Sequence, residues 1–361
     1  MKERKKLNEK VLLGMSGGVD SSVSALLLKK QGFEVIGATM VLCNSKDKNN
    51  INDAKNVCEK LNIKHIVIDC RKEFQKYVID NFVNEYKCGR TPNPCIECNK
   101  HLKFDVFFKK AEELGCKYIA TGHYAKIEFD EELNEYILKK SKSGKKDQSY
   151  FLYRISKECL PNILFPLSEF EEKEDIRRIA EENNLNVAKK KDSQEICFIP
   201  NDDYVSFLNT EFEKEQYILK NGTIKLKDGT VLGKHSGIIN YTIGQRKGLG
   251  ISYKEPLYVL DINSRKNEVI VGNESQLYSN ELYANELNFL VKNINLSEPV
   301  EIKAKVRYRA KPAEAVLSIE NNIAKVMFKE PQRAITKGQS VVFYINDIVL
   351  GGGKIIGSTN I

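Results

Sequence analysis

Short apolar runs alternate with amphipathic stretches through the first half of the chain, and this rhythm predicts alternating strands and helices. Val11–Leu13 reads as a strand and Ser21–Gln31 as a helix, with Gly32 at its C-terminal cap. Phe33–Leu42 is the next strand, and Asp53–Leu61 the next helix, capped by Asn52 or Asp53. Lys64–Cys70 is β-branched, and a long helical segment follows to about Tyr86. After a proline-rich loop, Lys103–Leu114 is helical up to Gly115, and Tyr118–Thr121 is another short strand. Alternation of this kind predicts a doubly wound parallel sheet with helices on both faces. Ligands of such sheets sit outside the carboxyl ends of the strands.

Glu169–Asn184 is charged and reads as helical. From about Gly222 the pattern changes to short β-like runs with glycine turns: Gly222–Leu232, Leu257–Ile262 and Glu268–Gly272. Further runs follow from about Leu282, among them Glu301–Tyr308, Ala313–Ser318, Ile323–Phe328, Ser340–Ile345 and Ile348–Leu350. The expected architecture is multidomain α/β plus β. An N-terminal catalytic domain spans 1–205, a small β-rich central domain 206–278, and a C-terminal β-barrel 279–361.

Composition narrows the class. Of 361 residues, 41% are hydrophobic, enough for proper cores and too many for a disordered chain. The nine cysteines are odd in number and scattered, unlike a secreted disulfide framework, so a cytoplasmic protein with reactive or metal-binding thiols is expected. The basic start runs into too short an apolar stretch for a signal peptide, and no run is long enough for a membrane span. The net charge of +8 permits a nucleic-acid partner, although Lys-rich composition alone gives the same value.

Candidate chemistry concentrates at Gly14-Met15-Ser16-Gly17-Gly18-Val19-Asp20-Ser21-Ser22, between the first strand and the first helix. Small residues let the backbone approach a ligand closely. The N–H groups of the turn and helix start make an anion site. Asp20 adds a carboxylate suited to Mg²⁺ on phosphate oxygens. No Gly-Lys-Ser/Thr follows, which argues against γ-phosphate transfer of the P-loop kind. The loop resembles the pyrophosphate loop of the ATP pyrophosphatases, which cut ATP between the α- and β-phosphates. Met40 and Gly122-His123 are expected at the same edge of the sheet.

A second centre is the loop Gly89-Arg90-Thr91-Pro92-Asn93-Pro94-Cys95-Ile96-Glu97-Cys98-Asn99. Cys95 and Cys98 stand in C-x-x-C spacing before a helix, where the helix dipole is expected to lower a thiol pKa. Three readings are open: half of a zinc site completed by His101, a redox or sulfur-transfer pair, or part of an iron–sulfur site. Cys197 stands apart. Cys43, Cys58, Cys70, Cys116 and Cys159 read as small buried hydrophobes, and Cys88 lies close to the proline-rich loop.

Together these stretches resemble the tRNA-specific 2-thiouridylases over nearly the whole chain. The resemblance rests on Gly14–Ser21, on Arg90-Thr91-Pro92-Asn93-Pro94 through Cys98-Asn99-Lys100 with Lys103-Phe104, and on Ala120-Thr121-Gly122-His123-Tyr124-Ala125. Lys146-Asp147-Gln148-Ser149-Tyr150-Phe151-Leu152, Lys190-Lys191-Asp192-Ser193 to Ile199, and Gly244–Gly250 continue it. Arg307-Tyr308-Arg309, Pro331 to Gly338-Gln339-Ser340, and Leu350-Gly351-Gly352-Gly353 complete it. The resemblance implies an adenine nucleotide hydrolase-like domain that uses ATP and Mg²⁺ to adenylate the wobble uridine of tRNA at O2. Sulfur then replaces the oxygen. It implies nucleotide contacts from Gly14, Met15, Ser16, Gly17, Gly18, Val19, Asp20, Ser21, Met40 and Gly122. Cys98 and Cys197 are the implied catalytic pair, joined by a disulfide after transfer. Contacts to the tRNA and its target base are implied for Asn93, Pro94, Cys95, His123, Lys146, Asp147, Gln148, Arg307, Tyr308 and Gln339. A cysteine desulfurase or persulfide carrier is the implied sulfur donor. Many members of the family carry Asp where this chain has Cys95. With Cys95 present, Cys95, Cys98 and Cys197 are an alternative ligand set for a [4Fe–4S] cluster carrying an extra sulfide. Other expectations are a different pyrophosphate-loop adenylating enzyme or a zinc-stabilised RNA-binding protein without catalysis.

Overall fold

Val11, Leu12 and Leu13 are fully buried, and their strand is the middle one of a five-stranded sheet. The computed structural model describes residues 8–43, 47–188, 190, 196–292 and 294–359. Strands β1 (Lys10–Gly14), β2 (Glu34–Val41), β3 (Lys64–Asp69) and β4 (Tyr118–Ala120) are parallel. A hairpin follows, β5 (Ala125–Asp130) and β6 (Glu135–Lys140), before β7 (Ile163–Leu164) closes the sheet in the order β3-β2-β1-β4-β7. Side chains alternate across a strand, so Val11 and Leu13 enter one core and Leu12 the other. Burial on both faces explains the unbroken apolar run. The chain winds to one side from β1 through β2 to β3, then crosses to β4 on the other side. The carboxyl ends of β1 and β4 therefore flank the switch point of the sheet.

The middle unit is a four-stranded sheet of β8 (Gly222–Leu226), β9 (Val231–His235), β10 (Tyr258–Asn263) and β11 (Glu268–Gly272), ordered β10-β11-β8-β9. The barrel comprises β12 (Tyr278–Phe289), β13 (Val300–Lys305), β14 (Ala313–Glu320), β15 (Ile323–Arg333), β16 (Ser340–Ile345) and β17 (Ile348–Ser358). Pairing of β12 with both β15 and β17 closes it. Among the described residues, no helix is long and apolar enough to cross a membrane.

Four features differ from the sequence-based expectation. The hairpin of β5 and β6 joins the barrel sheet through Ile348 opposite Lys139, so the N-terminal half donates two strands to the C-terminal unit. The helix expected from Asp53 spans Asp47–Lys60. The helix expected from Lys103 begins at Pro94, which lacks the N–H that the first turn would leave unpaired, and it continues to Glu113. A further helix, Tyr204–Lys214, is capped by Asp203 accepting from the Ser206 N–H at 3.0 Å.

The barrel is fastened onto the proline-rich loop. Gln339 Nε2 donates to the carbonyls of Thr91 at 2.8 Å and Pro92 at 3.2 Å, and the Thr91 N–H donates to the Lys337 carbonyl at 2.9 Å. Buried Glu85 accepts two bonds from Arg90 at 2.7 Å each and one from Lys354 at 2.8 Å. These charge-assisted bonds hold its carboxyl below the usual range despite burial. Tyr150 Oη donates to the Ser340 carbonyl at 2.8 Å, from a side chain with no solvent exposure.

Candidate active site

The turn after β1 is built around Gly17. Its φ of +69° suits glycine, and a Cβ there would lie 2.4 Å from the Asn50 carbonyl oxygen. Helix α1 (Val19–Lys30) starts immediately, with Gly18 as its cap. Ser21 and Ser22 turn their hydroxyls back to donate to the Gly18 carbonyl at 3.2 and 2.8 Å, and Ser21 Oγ also accepts the Ser16 N–H at 3.2 Å. The first-turn N–H groups of α1 have no acceptor within the helix, and its dipole adds positive potential. Lys190 Nζ grips the loop from the other side. It donates to the Gly17 carbonyl at 3.0 Å, to Asn50 at 2.9 Å and to Asp53 at 2.7 Å. A single carboxylate beside an anion-binding turn suits Mg²⁺ carried in on phosphate oxygens, and Asp20 stands there. In this structure its carboxylate accepts Lys173 Nζ at 2.6 Å on both oxygens and Tyr124 Oη at 2.8 Å.

Gly122, just beyond β4, packs on this helix start. A Cβ there would lie 3.0 Å from the Asp20 carbonyl carbon and the Ser21 nitrogen. His123 comes next. It is buried, its Nδ1 is 2.7 Å from Thr121 Oγ1, and its ring lies about 6 Å from those of Phe104 and Phe165. Burial, helped by the charge of Lys103, holds its pKa well below 6.5. Neutral His123 therefore makes a pH prediction. As pH falls below 6.5 the unfolded chain takes up a proton that the folded protein refuses, so stability is lost. One such group contributes up to about 1.4 kcal/mol per pH unit. Urea midpoints at pH 7.5 and 5.5 should differ, with the lower at pH 5.5, and His123→Asn should shrink the difference. An unchanged difference would remove His123 as its source.

Phe104, in the segment that follows Cys98, packs its ring 6.1 Å from that of His123 and so connects this edge to the thiols. Cys95 and Cys98 lie in the short helical turn Pro94–Cys98, which continues into the widened, π-type segment Asn99–Val106. Such segments often mark functional sites. Cys98 is buried, whereas Cys95 and Cys197 reach solvent. Protein nevertheless surrounds all three densely enough that desolvation dominates. It raises each pKa, that of Cys197 to about 12. The expected lowering of the thiol pKa at the helix N-terminus is thus corrected: the thiols are raised, because desolvation outweighs the nearby Lys103. Cys98 and Phe198, the residue after Cys197, share one hydrophobic core. Cys58, Cys70 and Cys116 are buried as expected, while Cys43 and Cys159 are only half-buried.

The metal readings fit less well. His101 stacks on Tyr77 with ring centroids 4.3 Å apart and faces Glu97 at 3.6 Å and Asp105 at 3.4 Å. Among the described residues no group of three His, Cys, Asp or Glu side chains is close enough to hold a metal ion. Cys95, Cys98 and Cys197 as arranged do not form a cluster site, and no disulfide joins any of the nine cysteines.

The remaining expected contacts have structural partners. Asp147 is buried and accepts from Ser141 N at 3.1 Å and Ser149 Oγ at 2.8 Å. Gln148 clasps the backbone of Tyr124 from both sides, at 2.7 and 3.0 Å. Lys146 is half-buried on the same turn, and Met40 is half-buried near the end of β2. Asn93 caps the turn of Cys95 with its carbonyl, and Pro94 is buried. Arg307 donates to the Arg333 carbonyl at 2.7 Å, and Tyr308 packs on Phe151 with centroids 4.3 Å apart. Lys191, Asp192 and Ser193 lie outside the described residues. An open depression of about 610 Å³ in the middle unit, lined by Arg246 and residues 248–257, has no cysteine or histidine in its wall. Sequence reasoning places Lys103 and Tyr124 inside the matched stretches without giving either a role, and it does not single out Lys173, because a lone lysine carries no local signal.

Three family models match consecutive stretches. That of the tRNA methyl transferase HUP domain matches residues 9–201, that of the tRNA methyl transferase PRC-barrel domain 210–273, and that of the aminomethyltransferase beta-barrel domain 279–355. Fold and loop therefore define a HUP-domain protein with two β-rich appendages. A tRNA-specific 2-thiouridylase MnmA of Clostridioides difficile (strain 630) is 48% identical over 360 residues, covering 97% of this chain and 98% of that protein. Another, of Clostridium botulinum (strain Alaska E43), is 50% identical over 360 residues, covering 96% and 98%. The chain belongs to the tRNA-specific 2-thiouridylase family.

Proposed function

We propose that the protein catalyses ATP-dependent 2-thiolation of the wobble uridine of tRNA, through adenylation at O2 and transfer of a persulfide sulfur. One observation carries the reading. Cys98 and Phe198, the neighbour of Cys197, pack in one core with Met40 and Leu42 at the carboxyl end of β2, the same edge of the sheet at which the anion-binding turn follows β1 and Gly122 packs on Asp20 and Ser21. The target base reaches such a site flipped out of its stack. Its O2 attacks the α-phosphorus of ATP, the bond to pyrophosphate breaks, and N3 gives up its proton. Backbone N–H groups of the turn hold the pyrophosphate as charge develops there. Mg²⁺, taken up beside Asp20, supplies charge neutralisation on the phosphates.

Carbon C2 is now an electrophile with AMP as leaving group. The raised thiol pKa values disfavour direct attack by a cysteine thiolate. A persulfide is more acidic than a thiol, so Cys197 loaded by a desulfurase or carrier presents a better nucleophile. Its terminal sulfur bonds to C2 and AMP leaves. The Cys98 sulfur then attacks Cys197 Sγ, which breaks the sulfur–sulfur bond to the base and leaves a Cys98–Cys197 disulfide. An external thiol reduces that disulfide, and N3 regains a proton. The test is nucleoside mass analysis of unmodified tRNA incubated with the protein, Mg·ATP and a persulfide donor. 2-Thiouridine that depends on both ATP and the protein supports the reading, and its absence rejects it.

A further inference from the structure

Lys173 opens the helix Lys173–Glu182 and is buried, with only 6% of its surface exposed. Its ammonium lies 2.6 Å from both oxygens of Asp20, the one carboxylate of the anion-binding turn. Tyr124 completes the arrangement, with its hydroxyl donating to Asp20 at 2.8 Å and its ring 5.8 Å from Lys173 Nζ. A buried ion pair gains little stability over an apolar pair of the same shape, because desolvation offsets the attraction. Its position is what matters. A bare carboxylate beside a turn built for phosphates would repel them, and Lys173 cancels that charge while the turn is empty.

We infer that Lys173 is a phosphate-binding residue of the nucleotide site, exchanging Asp20 for ATP as the nucleotide arrives. This rests on the nucleotide reading of the turn. When Mg·ATP enters, Asp20 faces the cation and the Lys173 ammonium passes to the phosphate oxygens. Each side chain keeps a partner of opposite sign in both arrangements: lysine against carboxylate without nucleotide, then lysine against phosphate and carboxylate against metal. Lys173 thereby does from a distant helix what the lysine of a Walker A loop does from the loop itself, a residue this turn lacks.

The test uses full-length protein and calorimetric titration, first with inorganic pyrophosphate in EDTA, then with Mg·ATP. Asp20→Asn removes the competing carboxylate, so metal-free pyrophosphate should bind about tenfold or more tighter than to the wild type. Asp20→Asn combined with Lys173→Met should lose that gain. Lys173→Met alone should weaken Mg·ATP binding about tenfold or more, with Lys173→Arg recovering most of it. The Asp20→Asn measurement stands alone should Lys173→Met fail to fold. Unchanged or weaker pyrophosphate binding by Asp20→Asn, or an undiminished gain in the double variant, overturns the exchange while leaving the nucleotide site intact. Failure of the wild type to bind Mg·ATP overturns the nucleotide reading itself.

Discussion

Cys98→Ser and Cys197→Ser should each lower tRNA thiolation by about a thousandfold or more while leaving Mg·ATP affinity within about twofold. Serine keeps the size of the side chain but can neither carry a sulfane sulfur nor exchange with a disulfide. The two losses arise at different steps. Cys197→Ser cannot be loaded, whereas Cys98→Ser should be loaded and then stall with sulfur bridging protein and base. Cys95→Ser separates the relay from a cluster. The three thiols do not form a metal-holding group here, so Cys95→Ser should keep roughly a third or more of the activity. Loss of activity in all three variants, tracking iron and labile sulfide in protein purified without oxygen, would replace the relay by cluster chemistry. Full activity in either of the first two variants would remove cysteine catalysis altogether.

Gly17→Ala should weaken Mg·ATP binding by about a hundredfold, near 3 kcal/mol. Two costs combine. A left-handed backbone in a residue bearing a Cβ costs about 1–2 kcal/mol. The new methyl would also lie 2.4 Å from the Asn50 carbonyl oxygen, so the turn must move off its anion-binding geometry. Gly115→Ala is the control. Its φ is +66°, yet nothing lies within 4 Å of an added Cβ. It should lose about 1 kcal/mol of stability and bind nucleotide normally. Titration calorimetry and urea denaturation on both variants give the comparison. A nucleotide affinity of Gly17→Ala equal to that of Gly115→Ala would show that the shape of the turn at Gly17 does not govern binding.

The parallel sheet was legible because burial on both faces leaves continuous apolar strands, as at Val11–Leu13. The turn at Ser16–Ser22 was legible because small and hydroxyl residues cluster where a strand meets a helix. Other features depend on the folded surroundings. The Lys173–Asp20 pair joins residues 153 positions apart, and nothing near Lys173 distinguishes it among 57 Lys and Arg residues. The hairpin at 125–140 is short and charged, and its pairing with β17 is a tertiary event. The thiol pKa values went the opposite way to the local argument. A dipole is visible in the sequence, whereas the desolvation that raises the pKa at Cys98 is set by residues from elsewhere in the chain.

In the proposed reaction ATP activates the base oxygen before sulfur arrives. The most direct measurement uses tRNA carrying ¹⁸O at O2 of the wobble uridine, incubated with protein, Mg·ATP and persulfide donor. One ¹⁸O in AMP for each 2-thiouridine formed, and none in pyrophosphate, is the expected result. Label released to water, or AMP without label, would contradict it.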